Sequence, residues 1–293
     1  MNLIEDIVLF QLGKFTEINI YHWIDSLRVD KNEIKPYRKK SDVVNIARII
    51  SITNSLHNTL KSGRKIALRE LYYINNWLFK NQSQVVKIVQ EFTELLRVQR
   101  RVIGLFPSPK GTIGGRVKFV YRDSEILDVE DLGITGATIT DLFEALGEDL
   151  IAKTDMKYIL VVEKASIFQY LMERKIFNRI PCILVTGKGF PDISTRKLVS
   201  KLTNHLKIKT IFLGDFDPHG INIYLTYVRG SNNYESQMAA CPNIYYLGIH
   251  FEDTFVLPIE TKLTLTNNDK SVLKVLVEDP IVKVSLDPFF KKT

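Results

Sequence analysis

Cysteine is almost missing from the 293-residue chain, with only Cys182 and Cys241 present. Two cysteines cannot build a disulfide framework or a thiolate zinc site, so the expectation is a reducing compartment and two small buried hydrophobes. Glycine and proline are also modest, at 15 and 10 residues, which excludes fibrous repeats and low-complexity tails. No apolar run approaches the roughly 20 residues that span a bilayer. The opening stretch carries Glu5 and Asp6 where a secretory leader would carry Lys or Arg. Neither membrane insertion nor export is expected.

What the chain does have is the composition of a soluble globular protein, 45% hydrophobic and 25% charged. Its length is about twice that of a usual domain, which predicts two. The net charge of +7 favours a polyanionic partner, and it is unevenly spread. Residues 1–120 and 151–293 are basic, while 121–150 are strongly acidic. Two basic lobes flanking an acidic connector place nucleic acid among the expected partners, although a positive lobe also serves simply to keep a surface soluble.

Apolar residues Val44, Ala47, Ile50, Ile52 and Leu56 fall near helical spacing after the basic run Lys35–Lys40, predicting a helix from Ser41 to Gly63. A second helix is predicted over Ala67–Phe79, and a third from Ser83, its expected N-cap, to about Val98. Arg101–Phe106 and Arg116–Tyr121 read as two strands of a hairpin around a Pro- and Gly-rich loop. Three helices and a hairpin predict a CAP-like winged helix. Its third helix would enter a major groove, and its loop, with Lys110 and Arg116, would touch the DNA backbone.

Beyond the acids the pattern changes. Strands are predicted at Tyr158–Val162, Cys182–Val185 and Thr210–Leu213, alternating with helices at Ala165–Phe177 and Ser194–Leu206. That alternation predicts an α/β domain whose central parallel sheet binds ligands at the carboxyl ends of its strands. The expected division is a winged-helix domain over 1–120, an acidic connector over 121–156 and an α/β domain over 157–293.

Glu163 directly follows the first of these strands, and Asp215 and Asp217 follow the third. If the two strands are neighbours, the three carboxylates converge and need a hard cation to neutralise them, for which Mg²⁺ is the natural occupant. The plain alternative is loop-capping aspartates and one surface glutamate. Gly187-Lys-Gly-Phe-Pro-Asp192 leaves the second strand on the same edge and precedes a helix with Arg196, Lys197 and Lys201. A phosphate could rest there, yet the run lacks the Walker spacing and is equally an ordinary strand-to-helix turn. On the second helix Arg69 and Tyr73 are four apart and share a face. A phenol helped by a guanidinium can attack a phosphodiester, and the resulting phosphotyrosine makes the cleavage reversible. A helical Tyr72-Tyr73 pair also serves as ordinary packing.

Arg69-Glu-Leu-Tyr-Tyr73, Val161-Val-Glu-Lys164, Gly187–Asp192 and Asp215-Phe-Asp-Pro-His-Gly220, in that order, resemble the A subunit of topoisomerase VI and its eukaryotic relatives that make meiotic DNA double-strand breaks. The forms of the last two motifs are similar to the eukaryotic meiotic branch, and the likeness extends over roughly residues 40–270. The resemblance implies a winged-helix domain bearing the nucleophile Tyr73, assisted by Arg69, and a Toprim domain holding Mg²⁺ through Glu163, Asp215 and Asp217. It further implies a 5′-phosphotyrosyl link, action as a homodimer on double-stranded DNA, a topoisomerase VI B-like partner with accessory meiotic proteins, and work in the nucleus. Lys110, Arg116, Lys188, Phe190 and Arg196 are the expected DNA contacts. A water-activating Toprim nuclease and a non-catalytic DNA-binding adaptor are the competing readings. The chain departs from the family pattern at Ala67-Leu68, where a capping Ser or Thr and a Lys are usual, at Glu70, where Asp is common, and at Gly214, which is expected to loosen the metal loop.

Overall fold

The computed structural model describes residues 40–106, 110–121, 124–139, 150–230, 239–250, 252–258, 260 and 263–285. The chain divides into two units, 1–108 and 109–293. The basic run before Lys40 and the last eight residues lie outside the described residues.

In the first unit the helical spacing becomes α1 (Lys40–Lys61), α2 (Leu68–Ile74) and α3 (Gln82–Leu96). Their apolar stripes meet in one core of Ile52, Leu56, Leu71, Phe79, Val85, Val89 and Phe92, all nearly inaccessible to water. The cap of α3 is Asn81 rather than Ser83: the Asn81 side chain accepts from the N–H of Gln84, and the Ser83 hydroxyl donates to that same side chain at 2.6 Å. Two short strands, β1 (Ile66–Ala67) and β2 (Leu105–Phe106), pair in parallel.

The predicted hairpin does not form. Arg100–Ile103 is a 3-10 turn, ended by Gly104 at φ 78°, and Leu105–Phe106 pairs with β1 instead. The Pro- and Gly-rich stretch hides a strand of its own, β3 (Thr112–Gly114), buried along its whole length. β4 (Lys118–Tyr121) then pairs antiparallel with β5 (Ser124–Asp128) and β7 (Leu150–Lys153). The division therefore falls at 108 rather than 120. The acidic stretch also supplies strands, β5 among them, and Val129 is buried directly after it.

The main sheet of the second unit adds β6 (Ala137–Thr138), β8 (Tyr158–Val162), β9 (Cys182–Thr186), β10 (Lys209–Leu213) and β11 (Ile244–Gly248) in the order β11-β10-β8-β9-β3-β6. β11, β10, β8 and β9 are parallel, whereas β3 runs against them and pairs antiparallel with both β9 and β6, so the expected parallel sheet is a mixed one. Buried helix faces of α4 (Ala165–Glu173), α5 (Ile193–Leu206) and α6 (Pro218–Arg229) pack on it. Helices α7 (Asn267–Val277) and α8 (Pro280–Ser285) follow. Both cysteines are buried, and burial pushes the Cys182 thiol up to about 11. Among the described residues no helix is long and apolar enough to cross a membrane.

Candidate active site

The register of the sheet decides the site. Val162 at the end of β8 lies opposite Leu213 of β10 and Thr186 of β9. The three strands thus release Glu163, Gly187 and Gly214-Asp215 at one edge, and the neighbour condition set by the sequence is met.

The Glu163 carboxylate accepts the backbone N–H of Asp215 at 3.0 Å. The Asp215 carboxylate is ion-paired with Lys164, and Asp217 caps α6 by accepting the N–H of Gly220 at 2.7 Å. Burial lifts the Glu163 carboxyl above its usual range. The charges of Asp215 and Asp217 add to that lift, while the Asp215 N–H and Lys164 oppose it. Lys164 is raised in turn by its bond to Asp215. Lys164, quoted in the motif but given no role, is thus part of the site.

The donor chemistry fits a hard divalent cation, since all three side chains offer only carboxylate oxygens. A set already gathered around one point is absent: among the described residues no group of three His, Cys, Asp or Glu side chains is placed to hold a metal. Lys164 instead supplies the positive charge at Asp215.

Gly214 does not loosen this loop. Its N–H donates to the Gly248 carbonyl at 2.9 Å, and its own carbonyl accepts from Ile249 at 2.8 Å. A Cβ here would stand 2.8 Å from Glu163 Oε2 and would strike the Phe212 ring, so glycine allows the close approach of the carboxylate.

On the same edge Lys188 (φ 54°) and Gly189 (φ 87°) turn the chain in the left-handed region. Lys188 and Phe190 are exposed, as a DNA contact requires. The other expected contacts are engaged within the unit. The N–H of Lys110 donates to Asp192, which also caps α5, and its ammonium donates to the Phe190 carbonyl at 3.0 Å. Arg116 pairs with Asp155 at 3.1 Å. Arg196 is only 4% exposed, because it shares the inward face of α5 with Val199 and Thr203, which corrects its assignment to DNA.

In the first unit α2 carries the tyrosine. Its N-cap Ala67 makes no side-chain cap, as the departure from the family pattern implied. Its other end is fixed by Asn75, whose buried amide donates to the Leu71 carbonyl at 2.8 Å and meets Ser51 and Ser55 of α1. Tyr72 packs on the core, whereas Tyr73 is 54% exposed. Arg69 donates to the Tyr73 hydroxyl from Nε at 3.3 Å and from Nη2 at 3.2 Å.

Two family models match the chain: a type IIB DNA topoisomerase model over residues 45–105, and the Toprim domain shared by Spo11 and the A subunit of topoisomerase 6 over 158–288. The chain is 31% identical to the meiotic recombination protein SPO11 of Homo sapiens over 249 residues, which is 83% of this chain and 61% of that protein. It is 30% identical to the A subunit of DNA topoisomerase 6 of Arabidopsis thaliana over 258 residues, 87% of this chain and 60% of that one. With the meiotic recombination protein SPO11-2 of Oryza sativa subsp. indica it shares 32% identity over 252 residues, 84% of this chain and 65% of that protein. The chain thus spans between 60% and 65% of the length of these three relatives.

Proposed function

The chain belongs to the family of Spo11 and the topoisomerase VI A subunits, and on that premise we propose that it cuts both strands of duplex DNA by transesterification in the nucleus, initiating meiotic recombination. One observation carries the choice of chemistry: the hydroxyl of a half-exposed tyrosine accepts hydrogen bonds from an arginine guanidinium, an arrangement that a water-activating nuclease has no use for.

In this reading the first unit is the winged-helix module, its three helices accompanied by the paired strands β1 and β2 in place of the expected hairpin, and Tyr73 is the nucleophile. Its oxygen bonds to phosphorus as the bond from phosphorus to the 3′ oxygen breaks. The enzyme is left on the 5′ phosphate, the phenolic proton passes to solvent, and the departing 3′ oxygen takes up a proton. Arg69 stabilises negative charge, first on the phenolic oxygen and then on the phosphoryl oxygens. Glu163, Asp215 and Asp217 would hold Mg²⁺, which when bound supplies Lewis-acid charge neutralisation at the phosphodiester. Lys188 and Phe190 meet the DNA, the lysine at phosphate. The working form is a homodimer with a topoisomerase VI B-like partner and accessory meiotic proteins.

End-labelled duplex incubated with the protein, its partner and Mg²⁺ and run on a denaturing gel tests the proposal. A protein-linked 5′ end is expected. Cleavage products with free 5′ phosphates and no linked protein would assign the chain to the nuclease class.

A further inference from the structure

The loop that carries Asp215 is gripped from the far edge of the sheet. The end of β11 brackets Gly214 with two backbone hydrogen bonds, to Gly248 and from Ile249. One side chain of the same strand reaches further: the Tyr246 hydroxyl lies 3.2 Å from the Asp215 carbonyl and 3.3 Å from that of Ile249, so its single proton is shared between the loop and its clasp. The hydroxyl is aimed by packing. The Tyr246 ring stacks on Phe212 at 6.1 Å between centroids and meets the Tyr224 ring edge-on at 5.2 Å.

We infer that Tyr246 is a positioning residue for the metal-binding carboxylates, holding the backbone of Asp215 where its N–H meets Glu163 and its side chain can turn to a divalent cation. It touches neither substrate nor metal and acts through Asp215. The hydroxyl does what partners behind a ligand generally do, restricting the ligand to a productive orientation. The inference rests on the reading of Glu163, Asp215 and Asp217 as the metal site.

The test is Mn²⁺ binding to the full chain, followed by the loss of the free-ion electron paramagnetic resonance signal. The variants are Tyr246→Phe, Tyr224→Phe and Glu163→Gln. Tyr224→Phe is the control, because its hydroxyl donates to the Ile244 carbonyl at 3.1 Å, on the same strand but away from the loop. The expected result is binding by the unaltered chain, loss in Glu163→Gln, a weakening of about tenfold in Tyr246→Phe and no more than about twofold in Tyr224→Phe. Amide exchange at Gly214 and Asp215 is expected to quicken in Tyr246→Phe and not in Tyr224→Phe, with or without metal. Equal Mn²⁺ affinity in Tyr246→Phe and the unaltered chain, or equal weakening in the two tyrosine variants, overturns the inference while leaving the metal site standing. Retention of Mn²⁺ by Glu163→Gln, or no binding by the unaltered chain, overturns the metal reading and this inference with it.

Discussion

Glu163 accepts the backbone N–H of Asp215 at 3.0 Å across two neighbouring strands. This bond opposes the burial and the two neighbouring carboxylates that disfavour its charge, and on balance the Glu163 carboxyl still titrates above its usual range.

A pH dependence follows from that direction. A carboxyl raised in the folded state binds more protons folded than unfolded between its two titration points, so stability falls as pH rises through that window. Glu163→Gln should therefore raise the melting temperature of the metal-free protein at neutral pH. The advantage should vanish below the ordinary carboxylate range, where Glu163 is protonated in both states. Thermal melts in EDTA across pH 3–8 check this, and an equal difference at every pH would contradict it.

Tyr73→Phe should abolish the covalent adduct while leaving DNA affinity intact and shifting stability by less than about 0.5 kcal/mol, since the ring is half exposed. Tyr72→Phe should retain adduct formation. Arg69→Ala should slow single-turnover cleavage by about 10²- to 10³-fold, the usual cost of removing one donor to developing charge.

Gly214→Ala should destabilise the second unit by about 1–3 kcal/mol, because the added methyl meets Glu163 Oε2 and the Phe212 ring. Denaturant melts measure the loss, and Mn²⁺ affinity should fall with it.

Asn75→Ala should cost about 1–3 kcal/mol, since the amide is buried and its loss strips the Leu71 carbonyl and the Ser51 hydroxyl of partners. Adduct yield should fall even at temperatures where the variant is fully folded, because Asn75 fixes the end of the helix that presents Tyr73.

Lys188→Ala should reduce the slope of log K against log salt for duplex binding by about one unit on every sequence. Arg196→Ala should instead lower stability and leave that slope unchanged, because the side chain is buried. Filter binding from 50 to 300 mM salt separates the two.

Much of this was legible in one dimension. Helical spacing marked α1 and α3 to within a few residues, and the apolar runs of β8, β9 and β10 named those strands, because burial on both faces leaves a continuous apolar signature. The i, i+4 offset alone put Arg69 beside Tyr73, since helix geometry is local. Strand pairing is not local. Nothing near Thr112 says that it joins Thr186, or that Lys118–Tyr121 leaves the expected hairpin for β5 and β7. Which face of α5 turned inward, and so the burial of Arg196, was settled by what packed against it. The linear pattern was enough to say which acids stand at strand ends. It took the folded sheet to pair Lys164 with one of them, to make Gly214 the space for another, and to set Tyr246, 31 residues from Asp215, against the loop between. The reason is that these contacts are made between chain segments brought together by the sheet, whose order no periodicity encodes.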